Sequence, residues 1–73
     1  MELHGTLVEN LQAAVQSAKR LQGQRVYPET LEFWSELVRL GRRRQDNAIS
    51  FDAAAVASLT HQLELEIERH RDR

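Results

Sequence analysis

The strongest constraint on the fold is that apolar residues recur every three or four positions in three separate segments. Gly23, Gly41 and the single proline, Pro28, mark the breaks between these segments. Such spacing places the apolar side chains on one face of an α-helix. The sequence therefore predicts one all-α domain over residues 1–73, with helices at about 7–22, 28–43 and 51–70.

The connections between these segments are short, at about five residues each. Short connections favour antiparallel packing of consecutive helices. We therefore expect a small three-helix bundle with up-down-up topology. Exchange of the long third helix between two chains is an alternative that the sequence leaves open.

Several residues predict where the helices begin and end. Thr6 and Glu9 have the spacing of a capping box, which indicates a helix that starts just after Thr6. Gly23 is suited to the left-handed position that closes the first helix. Pro28 suits the first position of the second helix, where its missing amide costs nothing. Ser50 is the predicted N-cap of the third helix.

The small size of the chain limits how it is stabilised. A chain of 73 residues buries only about 60% of its unfolded surface, so one hydrophobic core gives marginal stability. Cysteine is absent, which excludes disulfides and thiolate metal sites. Regular helix packing and self-association are the remaining routes.

A surplus of apolar residues in the second helix indicates an interface. They cover about half of its circumference, which is wider than the stripe of an ordinary surface helix. We expect this helix to pack against both others, or against one of them and a second chain. Phe33 and Trp34 are adjacent and cannot both face one narrow core. The candidate interface, through helices 2 and 3 of a homodimer, consists of Phe33, Trp34, Leu37, Leu40 and Leu65. In this hypothesis Leu65→Glu lowers the measured mass without loss of helicity.

A run of arginines has two interpretations. Arg39, Arg42, Arg43 and Arg44 either complement the negative end of the second helix, with Gly41 near its exit, or contact backbone phosphates of a nucleic acid. We favour the helix end, because charge at such a position is usually solvated. A helix-turn-helix reader is disfavoured, since the third helix begins "FDAAAVASL" and offers no side chain that reads base edges.

The remaining residue types do not form a catalytic or metal-binding motif. The three histidines are scattered along the chain, and Glu66 with His70 is expected to be only an exposed pair one helical turn apart. The serines lack a nucleophile motif, and the glycines do not form a phosphate loop. The sequence predicts neither an enzyme nor a cofactor or metal.

Charge and hydropathy indicate the setting of the protein. Ten basic and eleven acidic residues give a net charge of -1, which argues against a surface that attracts nucleic acid as a whole. No apolar run approaches the roughly 20 residues of a membrane span, and no secretory signal is visible. We expect a cytoplasmic protein-protein interaction module, or the regulatory partner of a larger protein. The alternative is a small nucleic-acid-associated regulator.

Overall fold

The chain folds into three α-helices that pack against one another. The computed structural model describes residues 3–46 and 53–71. Helix α1 covers Leu3–Arg20, α2 covers Pro28–Asp46 and α3 covers Ala53–Arg71. The described residues contain no strand. The predicted all-α bundle is confirmed.

Contacts between the helices establish their relative directions. The C-terminal ends of α1 and α3 lie together, since Ala18 contacts His70. Helix α2 runs the opposite way to α3. Ser35 near its start receives a hydrogen bond from Arg71 at the end of α3, whereas Gly41 lies against Thr60. The topology is therefore up-down-up, with α3 packed on the other two helices of its own chain.

The core lies between the three helices and uses the apolar stripes that the sequence predicts. Leu11, Val56 and Leu63 are fully buried at its centre. Helix α2 contacts both α1 and α3, which confirms that its wide apolar arc serves more than one neighbour. The buried hydrophobic residues are Leu7, Leu11, Ala14, Val15, Ala18, Trp34, Leu37, Val56, Leu63 and Ile67.

The helix ends agree with the sequence at two positions and differ at one. Gly23 has a φ of 81°, the left-handed conformation predicted for the residue that closes α1. Pro28 is the first residue of α2. Helix α1 begins at Leu3, so Thr6 is not its N-cap. Gly5 lies inside the helix, because one glycine costs only about 1 kcal/mol and does not stop it. The predicted N-cap Ser50 lies outside the described residues.

Gly41 has a different role from the one predicted. It is buried inside α2, which continues to Asp46, instead of lying at the exit of the helix. A Cβ added at Gly41 would lie 3.2 Å from the Cβ and 3.3 Å from the Cγ2 of Thr60, and closer still to its hydroxyl. The glycine therefore allows the backbone of α2 to approach α3 closely at this point.

Candidate interaction surface

The five candidate interface residues divide into buried and exposed groups. Trp34 is 2% exposed, and Leu37 is also buried. Both contribute to the core within one chain, so neither is free to contact a partner while the bundle is closed. Phe33, Leu40 and Leu65 are 55%, 40% and 42% exposed. The adjacent pair Phe33 and Trp34 thus separates into one surface and one core residue.

Phe33 and Leu40 lie on the same line of α2. Residues seven apart in an α-helix differ in direction by only about 20°. Ser35 and Arg42 of α2 both contact α3, and each lies about 200° around the helix from Phe33 or Leu40. These two apolar side chains, called the α2 stripe below, therefore point away from α3.

Leu65 belongs to a different surface. It lies about 160° around α3 from Leu63, which is fully buried. Leu65 therefore projects from the outer side of α3, whereas the α2 stripe faces away from α3 altogether. The predicted interface through helices 2 and 3 is not one continuous patch, because the third helix separates its two parts.

The four arginines of the candidate phosphate site lie inside α2 and not in a turn after it. Arg39 forms an exposed ion pair with Glu36 at 3.1 Å. Arg42 pairs with Glu64 across the contact between α2 and α3. Arg43 is exposed and Arg44 is half-buried, and neither pairs with a carboxylate whose side chain the structure describes. Two of the four arginines therefore already pair with carboxylates of the described chain.

Charge is divided along the length of α2. Its acidic residues before the midpoint are Glu29, Glu32 and Glu36, and its basic residues beyond the midpoint are Arg39, Arg42, Arg43 and Arg44. This order complements the helix dipole, which favours acids near the N-terminus and bases near the C-terminus. It also gives the α2 stripe an acidic end beside Phe33 and a basic end beside Leu40.

A buried polar cluster joins the ends of α1 and α3. Glu66 is 4% exposed, in contrast to the exposed pair that the sequence predicts for Glu66 and His70. Its carboxylate accepts hydrogen bonds from Gln22 Nε2 at 3.1 Å and from Arg69 Nη1 at 3.3 Å. These donors satisfy the charge that burial would otherwise leave unpaired.

His70 caps the end of α1 from a different helix. The amides of Leu21 and Gln22 bond to Ser17 and Lys19, so they leave the Ala18 carbonyl without a backbone donor. His70 Nε2 lies 2.9 Å from that oxygen. Because a carbonyl only accepts, Nε2 carries the proton. Nδ1 is buried without a partner, while the ring packs against Trp34 with centroids 5.4 Å apart.

The sequence contains a signal for the burial of Glu66 and His70. The buried stripe of α3 runs through Leu63 and Ile67, and its helical spacing continues to Glu66 and His70. Because these residues are polar, they are not expected to belong to the buried stripe, since charged residues are seldom fully buried without partners. Arg69 is a local partner of Glu66, but Gln22 and the end of α1 supply the other partners only in the tertiary structure.

Replacing His70 with phenylalanine is expected to lower the free energy of unfolding by about 1 kcal/mol. The phenyl ring keeps the packing against Trp34, but the Ala18 carbonyl loses its donor. In a domain of this size, that loss lowers the melting temperature by about 4–8 °C. His61→Phe, at an exposed position of the same helix, is the control and should change little. Equal melting temperatures for the two variants would contradict the capping role.

In the part of the chain that the structure describes, no three histidine, aspartate or glutamate side chains come together as a metal site. None of the helices over residues 3–46 and 53–71 combines the length and apolar character needed to cross a bilayer. The α2 stripe and its charged ends are the candidate site on which function is argued. No protein-family model, curated protein or solved structure matches the chain.

Proposed function

We propose that the chain is a small non-enzymatic module that binds another protein surface through the α2 stripe. One observation carries this proposal. Phe33 and Leu40 are large apolar side chains, about half exposed, and they are aligned on the face of α2 that points away from α3. An aligned aromatic and aliphatic pair on a helix is the anchor arrangement by which helices dock into apolar surfaces.

The charges around the stripe support a protein partner. Isolated exposed leucines are common on protein surfaces and need no explanation. Here the apolar pair is bordered by Glu29 and Glu36 on one half and by Arg43 on the other. An apolar centre with a charged rim is the usual composition of a protein interface, in which the rim selects the partner and its orientation.

Phosphate binding by the end of α2 is the second candidate. Arg43 and Arg44 favour it, since neither pairs with a carboxylate whose side chain the structure describes. The ion pairs of Arg39 and Arg42 weaken it, because those side chains must leave Glu36 and Glu64 to grip a phosphate. Two remaining arginines supply few of the backbone contacts on which nucleic-acid affinity depends.

Photo-crosslinking in cells tests the proposal directly. A photo-reactive phenylalanine analogue at position 33 is expected to give a covalent protein adduct on irradiation, because its ring occupies the exposed edge of α2. The same analogue at position 65 is the matched control, since Leu65 is also exposed, at 42% against 55% for Phe33, but lies on another surface. Adducts at position 33 and not at 65 support docking through the α2 stripe. Absence of any adduct at position 33 would refute it.

A third arm separates the two candidate functions. The chain with the analogue at position 33 also receives Arg43→Ala and Arg44→Ala. Retention of the adduct favours docking through the apolar pair. Loss of the adduct, together with loss of salt-sensitive binding of the purified chain to a DNA duplex, would favour the phosphate-binding alternative.

A further inference from the structure

One exposed side of α2 carries acidic, apolar and basic side chains in a fixed order, so its two ends differ in charge. Glu29, Phe33, Glu36, Leu40 and Arg43 are all exposed and follow one another at intervals of three or four residues, so they lie on one side of the helix. The order along the chain is acid, apolar, acid, apolar, base. Its midpoint lies beside Glu36, three residues after Phe33 and four residues before Leu40.

An antiparallel copy of the same helix complements this line. When the second copy is reversed about the midpoint, Phe33 faces Leu40 of the second copy and Leu40 faces its Phe33. Glu29 then faces Arg43 of the second copy, and the same pair recurs at the other end. A two-fold axis makes each contact twice, as in an isologous dimer.

We propose that the partner of the α2 stripe is a second copy of this chain, docked through α2 in antiparallel orientation. The inference rests on the proposed function and names its partner. Parallel alignment of the two helices would place Glu29 against Glu29 and Arg43 against Arg43. The repulsion between these like charges disfavours the parallel arrangement. An unrelated helix would need a base opposite Glu29, an acid opposite Arg43 and two apolar residues between them, all of which α2 itself supplies.

Glu36 is the one residue that meets its own copy. The two Glu36 side chains lie on the same side of the interface, close to the two-fold axis. Each one already pairs with Arg39 of its own chain at 3.1 Å, and Arg39 lies on the outer edge of the line. The two Arg39 side chains therefore offset the repulsion between the two Glu36 carboxylates at the centre of the interface. With only two apolar residues from each chain, the interface is small, and the dimer is weak and concentration-dependent.

Sedimentation equilibrium of the purified chain over a broad concentration range tests the dimer. The wild-type chain is expected to pass from monomer to dimer as its concentration rises. Phe33→Asp buries a charge in both apolar contacts and should leave only monomer. Leu65→Asp is the matched control and should dimerise like the wild type, whereas an interface through helices 2 and 3 requires it to dissociate. Far-UV circular dichroism checks that both variants remain helical, as exposed positions allow.

A charge exchange tests the orientation. Glu29→Arg or Arg43→Glu alone places like charges together at both ends of the dimer and should weaken it about tenfold at low salt. The double variant restores both pairs and should recover the wild-type dissociation constant. These residues are about 21 Å apart along their own helix, so recovery cannot arise within one chain. Failure of the double variant to recover would exclude the antiparallel pairing.

The outcomes distinguish this inference from the function on which it rests. A chain that stays monomeric at every concentration overturns the second-copy partner. The proposed function survives that result if the analogue at position 33 gives adducts with another protein in cells. Adducts at twice the mass of the chain, with reversible dimerisation of the purified protein, support both.

Discussion

Replacing Trp34 with alanine is expected to lower the free energy of unfolding by about 3–5 kcal/mol. Trp34 is 2% exposed and packs against the ring of His70, so truncation removes a large buried surface and leaves a cavity beside the cap of α1. A domain of this size has a total stability of about 4–11 kcal/mol. The variant should therefore unfold at a much lower urea concentration, as monitored by far-UV circular dichroism.

The adjacent residue supplies the control for this prediction. Phe33 is also aromatic but is half exposed, so Phe33→Ala should cost less than about 1 kcal/mol, within the range of surface substitutions. The difference between the stability losses of Trp34→Ala and Phe33→Ala shows which side of α2 faces the core. If both variants lost similar stability, Phe33 would belong to the core and the α2 stripe would not be a free surface.

Gly41→Ala is expected to destabilise the protein by about 1–2 kcal/mol, although alanine is the better helix former. In an ordinary helix interior this change stabilises by about 0.5–1 kcal/mol. Here the new methyl group would collide with Thr60, whose Cβ and Cγ2 lie 3.2 and 3.3 Å from its position. Overpacking of this kind costs about 1–3 kcal/mol, which outweighs the gain in helix propensity. Urea unfolding measures the net effect.

A double-mutant cycle assigns that cost to the contact between α2 and α3. Thr60→Ala removes the hydroxyl and the methyl that the new group would meet, and its buried hydroxyl has no hydrogen-bond partner. Gly41→Ala in the Thr60→Ala background should therefore cost at least about 1 kcal/mol less than in the wild type. Additive effects would mean that the cost of Gly41→Ala does not arise from contact with Thr60.

The helices themselves could be predicted from the sequence because their signals are local. The apolar spacing of Leu7, Leu11 and Val15 defines a buried face whatever the helix packs against. Pro28 and Gly23 act through their own backbone preferences at the ends of helices. Such residues report on the conformation of their immediate neighbourhood, and the three-helix bundle follows from them.

The rotation of α2 about its axis depends on its neighbours, because its apolar residues cover about half of its circumference. Phe33 and Trp34 are both aromatic and adjacent, and the packing of the bundle places Trp34 in the core against His70 and leaves Phe33 exposed. In the same way, the exposed Leu65 and the α2 stripe look like parts of one apolar surplus in the sequence. They separate because α3 lies between them in the bundle.

The sequence by itself determined the fold class, the closing turn of α1 and the start of α2, since these depend on periodicity and backbone preference. The tertiary structure alone decided that Gly41 is a contact point, that Glu66 and His70 are buried, and that Arg42 pairs with Glu64. Each of these depends on residues far apart in the chain: Thr60 for Gly41, and the end of α1 for His70. A buried polar group is stable only beside its partner, and that partner is fixed by packing.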